Sequence, residues 1–267
     1  MVLHESREDL FILETEIVAR LRQAGASVVG FADLSFLPEP ATGGLKSAIS
    51  VGIALDPEVV AGLAAGPTAR YHAEYDRVNS ALAQLSTLAA DMLRERGFAA
   101  TSGPATVRTV GEDRDTTLLP HKTVATRAGL GWIGHCALLV TPAFGPALRI
   151  SSVLTNAPLT HAVAIERSHC GRCRRCVDAC PAGAVKGRSW TAGMPRDQIY
   201  DAAACRKKAS ELATAQGINA TICGICILAC PWTQRYLRRN ECGAPTGTAD
   251  TRNDSPTQKI ALKGTCS

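Results

Sequence analysis

CGRCRRCVDACP, residues 170–181, and CGICILACPW, residues 223–232, are the two stretches that decide the fold of the second half of this chain. The first spaces its cysteines as C-x2-C-x2-C-x3-C-P, and the second as C-x2-C-x3-C-P. Such spacing lets one tight loop hold three corners of a cubane iron–sulfur cluster. The proline then turns the chain, so that the next thiolate reaches a neighbouring cluster. The sequence therefore predicts two [4Fe–4S] clusters.

The spacing also sorts the cysteines into two sets, because the last cysteine of each run ligates the other cluster. The first cluster would take Cys170, Cys173, Cys176 and Cys230. The second set lacks one ligand, which Cys205, alone between the two runs, would supply. The second cluster would then take Cys180, Cys205, Cys223 and Cys226. The other three cysteines are predicted to be one packed thiol, Cys136, and two tail residues, Cys242 and Cys266.

Disulfides and structural zinc are the alternative uses of such cysteines. Disulfides need an oxidising compartment and are typical of short secreted chains. This chain begins MVLHESREDLF, with acidic residues and no apolar signal region. A structural zinc ion takes one four-ligand set, and the shared Cys-Pro ending has no purpose in a zinc ribbon. Clusters are therefore favoured, and we expect a cytoplasmic protein whose thiolates stay reduced.

Composition and charge restrict the class of protein. The 267 residues are 46% hydrophobic, which allows one large domain or two small ones. The best candidate for a membrane span, residues 48–66, is interrupted by Asp56, Pro57 and Glu58. The net charge is +5, with basic residues beside both cysteine runs. Such groups could bind nucleic acid, but balancing the anionic clusters is the favoured interpretation. These basic residues are Arg172, Arg174, Arg175, Arg235, Arg238 and Arg239.

Apolar periodicity predicts alternating helices and strands before the cysteine runs. Helices are expected at 5–24, at 71–96 and in the second half of 115–127, where Pro120 suits a helix start. Strands are expected at 27–32, 47–55, 98–100, 107–110, 137–141 and 148–154. This alternation indicates a layered α/β domain over residues 1–160. A two-cluster module would occupy 161–240 and a loose, disordered tail 241–267.

Gly129, Gly131 and Gly134 match the dinucleotide fingerprint G-x-G-x-x-G, but their context rejects it. The fingerprint follows a strand, opens a helix and needs an acidic residue about twenty positions later. Here a helical segment precedes the glycines, and no acidic residue occurs between Asp115 and Glu166. The glycines are instead predicted to let the backbone pass close to a large flat group, or to make a tight turn.

The same glycine stretch carries a resemblance to a known family. AGLGWIG at 128–134, ALLVTPAFG at 137–145 and VLT at 153–155 resemble the signature of epoxyqueuosine reductases. The two cysteine runs follow in the family's order, and Cys205 stands where the family has its extra cluster ligand. Tyr71-His72 is similar to the family's Tyr-His pair at the head of a long helix. The resemblance runs from about residue 46 to residue 232.

The resemblance implies a cobalamin-binding α/β domain of nitroreductase-like topology, joined to a small α+β domain like the two-cluster bacterial ferredoxins. Reductive dehalogenases share this arrangement and are similar in chemistry. The corrinoid motif D-x-H-x-x-G is absent, so the cobalamin is expected to be base-off. The residues implied to contact this cofactor are Tyr71, Lys122, Gly129, Gly131, Trp132, Gly134 and His135.

The family's catalytic acid is an aspartate in a segment Asp-x-x-x-x-x-Glu-Lys. Aligning backwards from Ala128 places Asp115 on the aspartate and Lys122 on the lysine, with His121 in place of the glutamate. His135 replaces the family's lysine after the last glycine. The resemblance therefore implies that Asp115 is the proton donor. The alternative is that Asp115 caps a helix ahead of Thr116.

Three functions follow as expectations. The leading one is a reductase in which two clusters feed a corrinoid that reduces an unidentified small or nucleoside-like substrate. Its electron donor would be a ferredoxin or flavodoxin. The runner-up is epoxyqueuosine reductase acting on transfer RNA. It is less favoured because the segment at residues 30–47 is shorter than in that family and lacks its His-Gly-Glu-Met motif. No repeat domain is expected after the clusters either, so the chain resembles a short paralogue of the family. The third is a two-cluster electron carrier without a corrinoid.

Overall fold

The structure, a computed structural model, describes residues 6–103 and 117–241. Before the cysteine runs these residues form five helices and six strands in mixed order. They are α1 Arg7–Gln23, β1 Val28–Asp33, α2 Glu39–Thr42, β2 Ser47–Ala54, α3 Pro57–Ala61, α4 Ala69–Glu95, β3 Ala100–Ser102, α5 His121–Arg127, β4 Trp132–Ile133, β5 Leu139–Val140 and β6 Leu148–Thr155. The mixed helix and sheet agree with the predicted fold class.

The cysteine-rich part is built from short elements. Four helices and one 3-10 turn are described within residues 161–241. They are α6 Arg175–Asp178, the 3-10 turn Arg196–Gln198, α7 Ala202–Ala215, α8 Ile225–Leu228 and α9 Pro231–Glu241. Helices α6 and α8 each lie inside a cysteine run, so the loops around the thiols are single helical turns. Helix α9 begins at the proline that ends the second run, a position where proline's missing N–H costs nothing.

The main sheet has four strands in the order β1-β2-β6-β3, and every neighbouring pair is antiparallel. Strand β2 pairs with β6 over its whole length, from Ser47 opposite Thr155 to Ala54 opposite Leu148. Its first seven residues are all buried, which is typical of a central strand covered on both faces. Strands β4 and β5 form a separate two-stranded ribbon.

Helix α4 covers one face of the sheet because its apolar residues recur at helical spacing. Leu82, Leu85 and Leu93 are buried along this stripe. Thr68 starts the helix by accepting a hydrogen bond from the backbone N–H of Tyr71. Ser86 donates to Ser151 of β6 at 2.9 Å, so this buried polar group has a partner across the interface between helix and sheet.

The largest core cluster includes residues from both parts of the chain. Leu82 and Val51 belong to it, and so do Ile218 and Tyr236 from the cysteine-rich part. The hydroxyl of Tyr236 donates to the carbonyl oxygen of Leu55 at 2.8 Å. The two parts therefore pack on each other through a common core, and the domain division near residue 160 stays a prediction.

Most of the expected elements are present with slightly different ends. The helices expected at 5–24 and 71–96 are α1 and α4, and strands appear at four of the six expected places with comparable bounds. The strand expected at 137–141 is reduced to the two residues of β5. The strand expected at 107–110 lies outside the described residues, as do residues 242–267 of the tail expected at 241–267, whereas Glu241 is the last residue of α9. In the described ranges, no helix is long and apolar enough to span a bilayer.

Candidate metal centres and cofactor cavity

The first set of cysteines lines one small cavity. Its volume is about 40 Å³, and its walls include the four sulfurs predicted to hold the first cluster. They are Cys170, Cys173, Cys176 and Cys230. Cys230 comes from the second run, so the two runs meet here as the spacing requires. No group of three or more His, Cys, Asp or Glu side chains in 6–103 and 117–241 is arranged to hold a single metal ion.

The second set is brought together beside the first. The pKa of Cys205 is raised by burial and by the nearby Cys180, and that of Cys223 is raised by burial and by Cys205 and Cys180. Burial likewise raises the pKa of Cys226, to which Cys223, Cys205 and Cys180 add. The four thiols are therefore within electrostatic reach of one another, in agreement with the predicted second set. Cys205, on α7, stays the predicted fourth member of this set.

The chemistry of both sets fits iron–sulfur clusters. Backbone N–H groups of Trp232 and Thr233 donate to the sulfur of Cys230, and that of Ile225 donates to the sulfur of Cys223. Donors aimed at sulfur stabilise a metal-bound thiolate. Burial otherwise favours the neutral thiol and raises the pKa of Cys230 to about 11. Coordination would supply the positive charge that these buried thiolates lack.

Three side chains from the glycine stretch and its vicinity surround the first set. The indole N–H of Trp132 donates to the sulfur of Cys170 at 3.4 Å. His135 is buried, and its Nδ1 donates to the carbonyl oxygen of Cys173 at 2.9 Å. Cys136 lines the same small cavity and is hydrogen-bonded to Cys176. That bond lowers the pKa of Cys176. It is also the largest cause of the raised pKa of Cys136, and burial is the second largest.

The glycines make close contacts with other parts of the chain. A side chain on Gly131 would collide with the carbonyl oxygen of Val140. A methyl group on Gly134 would lie 2.6 Å from Val140 and 3.5 Å from the sulfurs of Cys136 and Cys170. Gly129 has φ +67° and faces residues 162–163. The stretch is therefore a tight passage of backbone beside the first set of cysteines.

A large cavity lies on the other side of this passage. Its volume is about 890 Å³, near the upper end of small-molecule sites. Its walls are mainly apolar, with a few charged groups among them. The apolar residues include Leu37, Ile133, Leu138, Leu139, Leu148, Ile150, Trp190, Ile199 and Ile227. The charged residues are Lys122, Arg127, Arg149, Arg196, Glu166 and Asp197.

Lys122 and Tyr71 are the two predicted cofactor contacts that line this cavity. The ammonium of Lys122 donates to the carbonyl oxygen of Ala137 at 2.9 Å. Burial, and then the nearby Arg196, lower the pKa of Lys122 to about 8. Burial raises the pKa of Tyr71, which is therefore a neutral phenol. The cavity thus offers a polarised ammonium and a phenol inside an apolar wall.

The other predicted contacts do not line this cavity, and their contact with a cofactor stays a prediction. Trp132, Gly134 and His135 surround the first set of cysteines, while Gly129 and Gly131 support the passage of backbone. Asp115, the expected proton donor, lies outside the described residues. The sequence did not single out Arg149, Arg196 or Trp190 as cavity residues, because only tertiary folding brings them to the same wall.

Comparison with known proteins agrees with the cysteine pattern. Residues 169–233 match the family model for a 4Fe-4S double cluster binding domain. An epoxyqueuosine reductase from Synechocystis sp. is 31% identical over 138 residues, which are 51% of this chain and 45% of that protein. The chain spans less than half the length of the curated epoxyqueuosine reductases that it matches, with 45%, 38% and 18% covered in three of them.

Solved structures show the same fold. A crystal structure of epoxyqueuosine reductase with an epoxyqueuosine-modified tRNA-Tyr stem loop gives a TM-score of 0.57 at 20% identity, covering 84% of this chain and 66% of that one. A reductive dehalogenase structure, reported with a mechanism for B12-dependent dehalogenation, gives 0.62 at 20% identity, covering 86% and 33%. These findings confirm the predicted fold class and the prediction of two [4Fe–4S] clusters, while the assignment of individual cysteines stays a prediction. Residues 169–233 are therefore a 4Fe-4S double cluster binding domain, in a chain that is similar to epoxyqueuosine reductases over about half of its length.

Proposed function

We propose that this protein is an iron–sulfur reductase that uses cobalamin. Electrons enter one at a time through two [4Fe–4S] clusters held by the two sets of cysteines. A base-off cobalamin bound in the large cavity would supply the low-potential metal centre at which a substrate is reduced. The protein's own part is to bind both partners, orient them and deliver a proton.

The wall between the two cavities is the observation that carries this proposal. Ile133 and Ala137 line the large cavity, whereas His135 and Cys136, on the same short stretch, line the small one. On the other side, Ile227 lines the large cavity next to the cluster ligand Cys226 in sequence. A cofactor in the large cavity would therefore be separated from both cluster sites by a single layer of residues.

The lining of the large cavity suits a corrinoid. A corrin ring is broad and mostly apolar, as are these walls, whereas its nucleotide tail carries a phosphate. Lys122, Arg127, Arg149 and Arg196 outnumber the acidic Glu166 and Asp197 among the lining residues. This excess of cationic groups would favour a bound anion. The relatives' solved folds, among them the B12-dependent dehalogenase, support the same choice of cofactor.

Proton delivery is assigned to Asp115, with Lys122 placed to hold charge in the cavity. A general acid works best with a pKa near the working pH. Lys122 also meets this condition, because burial lowers its pKa to about 8. The Lys122 ammonium also fixes the carbonyl of Ala137, part of the wall next to the first cluster site. Lys122 would therefore both support that wall and attract an anionic group of cofactor or substrate.

The substrate has two candidates. A small or nucleoside-like molecule is our first, because residues 30–47 are short and lack the family's substrate-side motif. Epoxyqueuosine in transfer RNA is the second, and the similarity to curated epoxyqueuosine reductases supports it at least as strongly. A plain electron carrier is disfavoured, because carrying electrons needs no cavity of about 890 Å³ beside the clusters.

The electron donor is proposed to be a low-potential ferredoxin or flavodoxin. Arg172, Arg174 and Arg175 adjoin the ligands of the first cluster, and all three are exposed. Acidic electron carriers dock on such basic surfaces through complementary charge. Buried thiolate sets of this kind also need a reducing compartment, for which we propose the cytoplasm.

Cobalamin binding is tested with anaerobically reconstituted protein and its absorbance spectrum. Bound cofactor should differ from free cobalamin, and the Co(II) form should lack nitrogen superhyperfine splitting in electron paramagnetic resonance. Ala164→Trp, which narrows the large cavity, should weaken binding at least tenfold. Ala203→Trp, on the exposed face of α7, is the matched control. Unchanged spectra at micromolar cobalamin would favour the electron carrier.

A further inference from the structure

The first cluster site has a fifth thiol. Cys136 lines the small cavity together with the four predicted ligands and is buried, with 5% of its surface exposed. It comes from the glycine stretch, far from both cysteine runs in sequence. Four thiolates complete the ligand set of one cubane cluster, so Cys136 is not needed as a ligand.

The backbone holds Cys136 in place on both sides. Gly134 N–H donates to the carbonyl oxygen of Leu138, and Ala137 N–H donates to that of Gly134, both at 2.9 Å. Ala137 has φ +59°, the one positive value for a non-glycine residue in 6–103 and 117–241. Such backbone strain persists where the surrounding structure fixes a residue for a purpose. The backbone N–H of Leu138 also donates to the sulfur of Cys136, which orients it.

The direction of the bond between Cys136 and Cys176 follows from their chemistry. A cysteine that binds iron is a thiolate and has no proton to donate. Cys136, outside the four-ligand set, keeps its S–H, and a thiol is a weak hydrogen-bond donor. With the cluster present, the S–H of Cys136 therefore points at the sulfur of Cys176.

We propose that Cys136 is a positioning residue of the first cluster site, and that its S–H donates a hydrogen bond to Cys176 and raises the reduction potential of that cluster. Reduction adds negative charge, which spreads onto the cluster's sulfurs. A donor aimed at one sulfur stabilises the reduced state more than the oxidised state, so the potential rises. The inference rests on the first cluster of the proposed function, but not on cobalamin or on the substrate.

The position of Cys136 suggests why a raised reduction potential would matter at the first cluster. Cys136 is adjacent to Ala137, which lines the large cavity. The first cluster is thus tuned at the point where its site meets the large cavity. A higher potential there favours arrival of an electron at the first cluster from the second.

Anaerobic redox titration by electron paramagnetic resonance tests the role of Cys136. Cys136→Ala should keep full iron content but shift one of two midpoint potentials to a more negative value. Cys136→Ser keeps a donor and should stay at or above the wild-type value. Val140→Ala removes more atoms from the same cavity wall without removing a donor, so it should leave both potentials unchanged. The shifted signal should be the one that disappears in Cys173→Ala.

Four outcomes would overturn the inference. Unchanged potentials in Cys136→Ala would show that the thiol only packs, and an equal shift in Val140→Ala would point to solvent access. Loss of iron in Cys136→Ala would make Cys136 a ligand rather than a donor. A wild-type protein without clusters would sink the proposed function as well, whereas intact clusters without cobalamin would leave this inference standing.

Discussion

Trp132 donates its indole N–H to the sulfur of Cys170 at 3.4 Å. The ring is buried, stacks on His169 at 4.9 Å between centroids and meets Trp232 edge-on at 5.2 Å. The stack fixes the ring plane, so the N–H stays aimed at the sulfur. The glycine stretch therefore supports the first cluster site with an aromatic donor as well as with its backbone.

Trp132→Phe should lower the midpoint potential of the first cluster without removing its iron. Phenylalanine keeps a ring for the stack but has no N–H to offer Cys170, and donors to ligand sulfur raise cluster potentials. Anaerobic redox titration measures the shift. Trp190→Phe makes the same exchange in the wall of the large cavity. An equal shift there would assign the effect to lost packing.

Cys205→Ala should affect the second cluster only. Wild-type protein should contain about eight iron and eight sulfide ions per chain, four of each per cluster. Cys205 lies beside Cys180 and Cys223, so its loss should leave a three-iron or empty second site. Iron analysis and electron paramagnetic resonance detect this, with Cys136→Ala as the variant that keeps both clusters. Full iron content in Cys205→Ala would remove it from the ligand set.

Gly131→Ala should destabilise the protein more than Gly97→Ala. A side chain on Gly131 would meet the carbonyl oxygen of Val140, so β4 and β5 must separate. Overpacking of this kind costs about 1–3 kcal/mol. Gly97 has φ +81° and open space around it, so alanine there brings only backbone strain of about 1–2 kcal/mol. Anaerobic thermal unfolding followed by circular dichroism compares the two, and equal losses would contradict the close approach.

The contribution of Lys122 to stability should depend on pH. Its pKa falls from 10.5 to about 8 on folding. Between those values the unfolded chain holds the proton and the folded chain does not, so this group adds stability as the pH rises. The full window corresponds to roughly 3 kcal/mol. The free energy of unfolding of the wild-type protein should therefore rise relative to that of Lys122→Met between pH 8 and pH 10. Anaerobic urea titrations measure this difference. Lys207→Met, at an exposed position on α7, should show no such change.

Local sequence patterns predicted the features that depend on residues close together in the chain, such as the cysteine runs and the start of a helix. Cysteine spacing predicted two clusters, in agreement with the double cluster match at residues 169–233, and Pro120 predicted the start of α5, which begins at His121. Cys136 was expected to be a packed thiol. It is buried, but its partner Cys176 is forty residues away, and no spacing rule relates the two.

Tertiary contacts also decide the places of Trp132 and His135. Both were expected against the cofactor because they follow the glycines of the family signature. The passage of residues 129–134 past Val140 brings them to Cys170 and the carbonyl of Cys173, and their contact with the cofactor stays a prediction. The large cavity was not predictable as a shape, since its walls come from ten or more separate parts of the chain.

Asp115→Asn should keep both clusters and the affinity for cobalamin but lose turnover. The amide preserves the size of the side chain, yet it cannot protonate an alkoxide or carbanion formed from the substrate, so kcat should fall while binding persists. Helix capping predicts retained activity, because asparagine caps as well as aspartate. Helix α5 begins at His121 after Pro120, and residues 117–120 are not helical, so a cap for this helix at residue 115 is disfavoured. Single-turnover assays on candidate substrates, epoxyqueuosine transfer RNA among them, make the measurement. Wild-type rates in Asp115→Asn would show that another group is the proton donor. Lys122 would then be the next residue to substitute.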